Sequence, residues 1–179
     1  MSKLIIVEGA DCTGKSTLAK FIARELRAAY FHAVGKKNLH QGMTEYHVNM
    51  VENALVCLDV SDMNVVFDRH WPSEVVYGQI LRVAMHDRYY EIHKVLHMLD
   101  MVKPTHELHY IFCTSNEAHN RQMVDQTDHP YTSEEFAQIY GEYEALRSRL
   151  PQNEFNVHYY HLETHGSDIH GYLKSKGLL

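Results

Sequence analysis

An α/β fold, with a parallel five-stranded sheet and helices on both faces, is predicted by three features of this sequence. Short apolar runs alternate with stretches whose apolar residues recur at helical spacing. The first run, Leu4 to Val7, is continuously apolar, as a strand covered on both faces must be. No internal repeat or linker interrupts the alternation, so 179 residues form one domain over 1–179.

The elements follow in order. A strand over 3–7 leads into a helix from 15, where Leu18, Ile22 and Leu26, with Ala19 and Ala23, make one apolar face for the sheet. A strand is expected over 30–34 and a helix over 44–58, separated by the polar Gly35 to Asn38 break. Asn64 to Phe67 reads as a third strand that ends abruptly on Asp68 and Arg69. Helices over 73–82 and 88–102 follow, the second carrying Ile92, Val95, Leu96, Leu99 and Val102 as a stripe and stopping at Pro104. Strands over 108–113 and 157–162 bracket a helix over 133–149, and a short helix starts near 167. Ligands of such sheets bind beyond the carboxyl ends of the strands, where Gly9, Asp68 and Ser115 fall.

Composition narrows the function. Seventeen Lys and Arg against 23 Asp and Glu give a net charge of −6, which disfavours a polyanionic partner but leaves room for a small, locally captured anion. The longest early apolar run is too short to cross a bilayer and no cleavable leader pattern is present, so a cytosolic protein without a membrane partner is expected. Three widely spaced cysteines argue for reduced thiols. The 15 histidines include His93 and His97 at i,i+4 and the group His158, His161 and His165, which read as surface residues because nothing nearby completes a ligand set.

The chemistry begins at Gly9, where Gly9-Ala-Asp11-Cys12-Thr13-Gly14-Lys15-Ser16 fits the phosphate-loop pattern GxxxxGK[ST] in the strand–turn–helix setting that the pattern requires. Glycines there let backbone N–H groups face a phosphate, and the helix start adds positive potential. Lys15 then reaches the β and γ phosphates of ATP, and the Ser16 hydroxyl can bind Mg²⁺. Asp68, at the end of the third strand, supplies a carboxylate for the same Mg²⁺ or its waters.

Two segments carry a resemblance to the thymidylate kinase branch of the nucleoside monophosphate kinases: Val7 to Thr17, and Asp68-Arg69-His70-Trp71-Pro72-Ser73-Glu74-Val75-Val76-Tyr77. The second is similar to the family's DR[YH]xxSxxAY signature, matching at Asp68, Arg69, His70, Ser73 and Tyr77. The resemblance implies a P-loop kinase fold, an ATP-binding loop through Thr17 and a homodimer. It also implies that Asp11 contacts the sugar 3′-hydroxyl, Arg69 clamps phosphate between donor and acceptor, and Tyr77 crowds the 2′ position in favour of deoxyribose. Arg121 resembles the arginine that opens a mobile lid, here over 122–132. The chain departs from the family at Cys12, where an arginine is usual, in the absence of Arg and Lys from 122–131, and in lacking the Arg-Glu-Pro-Gly-Gly segment; Lys36 and Lys37 are the cations between Arg27 and Arg69. Glu74 stands where the family often contacts the base with a neutral side chain, and a carboxylate favours a base or substituent that donates.

The reaction expected first is transfer of the ATP γ-phosphate to a deoxynucleoside monophosphate, thymidylate-like or carrying a modified pyrimidine. A kinase acting on a hydroxyl, of a nucleoside or of a hydroxymethylated pyrimidine in DNA, is the second reading, with Glu8, Asp11 or Glu74 as its base. The third is an ATP-binding switch without catalysis. In the phosphate-loop setting Cys12 is expected to have a lowered pKa.

Overall fold

A computed structural model describes residues 1–33, 42–81, 91–116, 122, 132–149 and 156–179. Its strands are β1 (Lys3–Glu8), β2 (Ala29–His32), β3 (Val65–Asp68), β4 (Glu107–Thr114) and β5 (Asn156–His161). They form one sheet in the order β2-β3-β1-β4-β5, and every neighbouring pair is parallel. The helices are α1 (Lys15–Glu25), α2 (Met43–Leu55), α3 (Trp71–Leu81), α4 (Ile92–Asp100), α5 (Ser133–Arg149), α6 (Leu162–His165) and α7 (Ile169–Ser175).

Residue parity in the central strands explains the two layers. Leu4 and Ile6 of β1 and Val65 and Phe67 of β3 face Met50 and Val51 of α2, Val76 of α3, Val95 and Leu99 of α4 and Ile139 of α5. Ile5, Val7 and Val66 face the opposite way, onto Leu18 and Ile22 of α1 and Leu173 of α7. Burying both parities demands an unbroken apolar run, which is why β1 reads Leu-Ile-Ile-Val.

Several boundaries differ from expectation. Asp68 is the last residue of β3 itself, paired in register with Val7 and His32. Helix α3 starts at Trp71, two residues early, because Pro72 lacks an N–H that the first helical turn does not need. Helix α2 continues as a π-helical turn, Val56–Val60, and α4 stops at Asp100 before a run of turns. Strand β5 stops at His161, and Leu162 opens α6, closed by the Gly166 N–H donating to the Leu162 carbonyl at 2.8 Å. Helix α7 begins after Asp168, whose carboxylate accepts from the Gly171 N–H at 2.8 Å. Val34, Gly35 to Asn38, Arg82 and the 88–90 start of the fourth expected helix lie outside the described residues.

Candidate active site

The loop from Gly9 to Gly14 joins β1 to α1 at the carboxyl edge of the sheet. Gly9 has φ 143°, and a Cβ there would come within 2.3 Å of the Cys113 carbonyl oxygen at the end of β4. Gly14 caps α1 at φ 78°, where a Cβ would come within 2.8 Å of Leu162 Cδ1. Both glycines are therefore required by close approach as well as by conformation. Thr13 is buried and its hydroxyl donates to the Ala10 carbonyl at 2.8 Å, closing the turn, while Thr17 is exposed on α1. The first amides of α1 have no intrahelical acceptor, the arrangement that binds phosphate at a helix start.

Lys15 is only 6% exposed; its Nζ donates to the Ala10 carbonyl at 3.2 Å and to Asp11 Oδ1 at 3.0 Å. Burial, with Arg69 adding repulsion, lowers its pKa against the pull of Asp11. Cys12 corrects the expectation for its thiol. Burial and then the Asp11 carboxylate push its pKa up, outweighing Lys15.

Arg69 stands at the centre of the site. It is a non-glycine residue at φ 71°, a left-handed conformation that costs on the order of 1–3 kcal/mol and is held here by its N–H donating to the Val7 carbonyl at 3.0 Å. Its Nη2 donates to Asp11 Oδ1 and, at 3.3 Å, to the Tyr77 hydroxyl; its Nη1 donates to Ser73 Oγ at 3.1 Å and to the Tyr143 hydroxyl at 3.4 Å. The guanidinium also lies 4.7 Å from the Tyr77 ring centroid. Asp11 Oδ1 is thus shared between Lys15 and Arg69.

Beneath Arg69 lies Glu8, fully buried at the end of β1. Its Oε1 accepts the His70 backbone N–H, and the hydroxyls of Ser73 and Tyr143 stand 2.7 and 3.2 Å from its Oε2. Burial raises the Glu8 pKa, opposed by Arg69 and these donors. Tyr143 was not singled out by motif reading. Its one available signal is helical spacing, since Phe136, Ile139 and Tyr143 share the buried stripe of α5.

Asp68 is buried with two differently treated oxygens. Oδ2 accepts from the Tyr30 hydroxyl at 2.7 Å and from His32 Nδ1 at 2.9 Å, whereas Oδ1 has no hydrogen-bond partner among the described residues. Burial works against its charge, but Tyr30, Ser16 and His32 together lower its pKa. Oδ1, without a full hydrogen bond, and the Ser16 hydroxyl that interacts with the same carboxylate are oxygens of the kind a hard divalent cation takes, so Ser16 and Asp68 fit Mg²⁺.

His70 is buried between His47 and Phe67, with ring centroids at 4.8 and 4.9 Å. Its Nε2 meets the His47 carbonyl at 3.1 Å, while Nδ1 is buried without a partner, so a second proton would have no acceptor. Burial accordingly pushes its pKa down to about 4. The unfolded chain then binds a proton that the native state refuses between pH ~6.5 and about 4, and stability falls as pH falls through that window. The full effect is on the order of 3 kcal/mol. Glu8 acts in the opposite sense above its ordinary range, so denaturant unfolding of wild type and His70→Phe at pH 7 and pH 5 is the informative pair. The variant is expected to lose less stability on acidification, and an equal loss in both would remove His70 from the account.

The other histidines divide. His93 and His97 are exposed. His158 is half-buried instead, stacked on His109 with 3.2 Å between Nε2 and His109 Nδ1, and His165 packs on Tyr160 and Tyr172. Among the described residues no group of three or more His, Cys, Asp or Glu could hold a metal ion.

The structure brings Lys15, Asp11, Arg69, Ser73 and Tyr77 into one connected network. Glu74 is buried on α3, so close to Gly78 that a Cβ there would lie 2.9 Å from Glu74 Oε1. The Tyr77 ring lies under the Arg69 guanidinium and packs edge-on to Tyr143 at 6.1 Å. Arg121, Lys36, Lys37 and the 123–131 portion of the expected lid lie outside the described residues.

Five parallel strands covered on both faces, with the Gly9 to Gly14 loop feeding α1 at their carboxyl edge, form an α/β fold shared with solved P-loop kinases. The chain is similar in structure to YorR from Bacillus subtilis, solved in complex with phosphorylated GDP, at TM-score 0.63 and 19% identity over 88% of this chain and 84% of that one. It is similar also to deoxyadenosine kinase from M. mycoides with bound dATP, at TM-score 0.61 and 13% identity over 97% and 98% of the two chains. Thymidylate kinase from Candida albicans aligns at TM-score 0.58 and 14% identity over 99% and 93%. No protein-family model and no curated protein sequence matches the chain. Among the described residues no helix is long and apolar enough to cross a membrane.

Proposed function

We propose that this chain is a single-domain, Mg²⁺-dependent kinase that moves the γ-phosphate of ATP to a deoxynucleoside monophosphate. The observation that carries the reading is the Asp11 bridge. One carboxylate oxygen holds both the phosphate-loop lysine and Arg69, so two cations converge where a transferring phosphoryl group would sit.

An acceptor phosphate oxygen attacks the γ-phosphorus, the bond to the β–γ bridging oxygen breaks, and ADP leaves. Lys15 follows the charge on the donor side, and Arg69 presents a planar fork to the acceptor side. Ser16 and Asp68 would hold Mg²⁺, whose charge offsets that of the β and γ oxygens when it is bound. A monophosphate acceptor is already ionised, so no general base is needed. This agrees with Glu8, whose oxygens are taken by Ser73, Tyr143 and the His70 N–H.

The second reading, a hydroxyl acceptor, is favoured by the likeness to deoxyadenosine kinase; in that case Asp11 or Glu74 must take the proton. A nucleic-acid substrate belongs to this reading alone, and a homodimer is implied by the thymidylate kinase resemblance. Labelled ATP assayed against deoxy- and ribonucleoside monophosphates, nucleosides and modified DNA separates the readings. Labelled diphosphate from deoxy monophosphates is expected. Product only from nucleosides or DNA moves the chain to the second reading, and tight ATP binding without product makes it a switch.

Sugar selection gives a sharper test at Tyr77. The deoxy acceptor is expected to exceed its ribo counterpart by roughly 10- to 200-fold in kcat/KM. Tyr77→Ala should shrink that ratio by admitting the ribo substrate, whereas Tyr77→Phe, which keeps the ring under Arg69, should preserve it. An unchanged ratio with a lowered Tm in Tyr77→Ala would leave Tyr77 as a packing residue.

A further inference from the structure

We infer that Tyr30 and His32, on edge strand β2, are positioning residues for the divalent cation: they pin one oxygen of Asp68 and leave the other available to the metal. The inference rests on the kinase reading and adds to it two residues outside every motif in the chain. Residues 30 and 32 alternate onto one face of β2, and the register sets His32 directly beside Asp68 and Tyr30 beside Val66. Val66 packs in the layer against α1, so this is the face that carries Ser16 in the first turn of that helix.

The donors converge on a single atom. The Tyr30 hydroxyl lies 2.7 Å and His32 Nδ1 2.9 Å from Asp68 Oδ2, while Oδ1 is buried and unpartnered among the described residues. An ionised carboxylate only accepts, so Nδ1 carries the proton of that contact. The terminal torsion of an aspartate is broad and nearly two-fold, and either oxygen can normally rotate into a given place. Two donors on Oδ2 remove that freedom and leave Oδ1 as the oxygen without a hydrogen bond among the described residues. Partners of this kind, one shell behind a ligand, set metal affinity without touching the metal.

The test reads metal binding rather than turnover. Tyr30→Phe deletes one donor and keeps the ring, and His32→Ala deletes the other from a side chain that is 48% exposed. With Asp68→Ala as reference, each protein saturated with the non-hydrolysable analogue β,γ-imido-ATP is titrated with Mn²⁺, and free Mn²⁺ is followed by electron paramagnetic resonance. Nucleotide affinity in EDTA and Tm are measured alongside. The Mn²⁺ Kd is expected to rise about 10-fold in each single variant, with metal-free nucleotide affinity and Tm unchanged. Wild-type Mn²⁺ affinity in both variants overturns the positioning role and leaves the kinase reading standing. So does a loss that merely tracks weaker metal-free nucleotide binding or a lower Tm. A wild-type protein that binds no nucleotide overturns the kinase reading, and the positioning role falls with it.

Discussion

Lys15→Ala is expected to lower turnover by about 10²-fold or more, with little change in Tm. The catalytic loss follows from removing the charge that accompanies the phosphoryl group between donor and acceptor. The small stability change follows from the site itself. Lys15 is buried, and both burial and Arg69 disfavour its charge, so deleting it relieves a cost as it removes the contact with Asp11. Asp11 keeps Arg69 as its partner. Steady-state rates and a thermal melt on the same preparation test the pair of expectations. Near-wild-type turnover would withdraw the phosphate-loop assignment, and a large drop in Tm would mean that the lysine supports the fold.

On the proposed reaction Arg69 should behave differently, because it would serve the chemistry as well as the packing of the site. Arg69→Ala is expected to lower kcat by about 10³-fold, from loss of a phosphate clamp. It also removes the charge that opposes the burial-driven rise in the Glu8 pKa and the partner of Asp11, so a lower stability is expected alongside the loss of rate. Arg69→Lys should recover little, since an ammonium cannot reproduce the fork that reaches Asp11, Ser73, Tyr77 and Tyr143. Arg69→Gly separates the two roles. Glycine adopts φ 71° without strain, so this variant should be as inactive as Arg69→Ala but more stable by about 1 kcal/mol. Equal stabilities of the alanine and glycine variants in denaturant would show that the left-handed backbone at 69 carries no strain.

Much of the scaffold was legible because it depends on local pattern. Helix α5 has the expected bounds, and its start is written in Thr132-Ser-Glu-Glu135: the Glu135 carboxylate accepts the Thr132 N–H at 2.7 Å while the Thr132 hydroxyl accepts the Glu135 N–H at 3.2 Å. The strand-to-helix loop at Gly9 was equally readable, since its glycines, lysine and hydroxyl all fall within the eight residues from Gly9 to Ser16. The partners of Asp68 were not. Tyr30 and His32 look like ordinary residues of a short strand until strand register sets them beside it. The burial of His70 against His47 was hidden for the same reason, because nothing near either residue announces that α2 folds over the end of β3. Cys12 was misjudged by counting the helix start and overlooking its neighbour Asp11, whose carboxylate reinforces the effect of burial.

The contact between Glu8 and Tyr143 joins residues 135 apart in sequence. Closing so long a loop has an entropic cost that local structure does not meet, so a chain leaving the ribosome can form β1 and α1 long before this contact exists. Until α5 arrives, the Glu8 carboxylate faces Arg69 without one of its hydroxyl donors, in a region that has not yet been sealed from water. The polar network beneath Arg69 is therefore completed only once residues 133–149 have been made, later than the Gly9 to Gly14 loop and β3 beside it. A chain truncated ahead of α5 would retain the whole phosphate-loop motif and lack the residue that completes the network beneath Arg69.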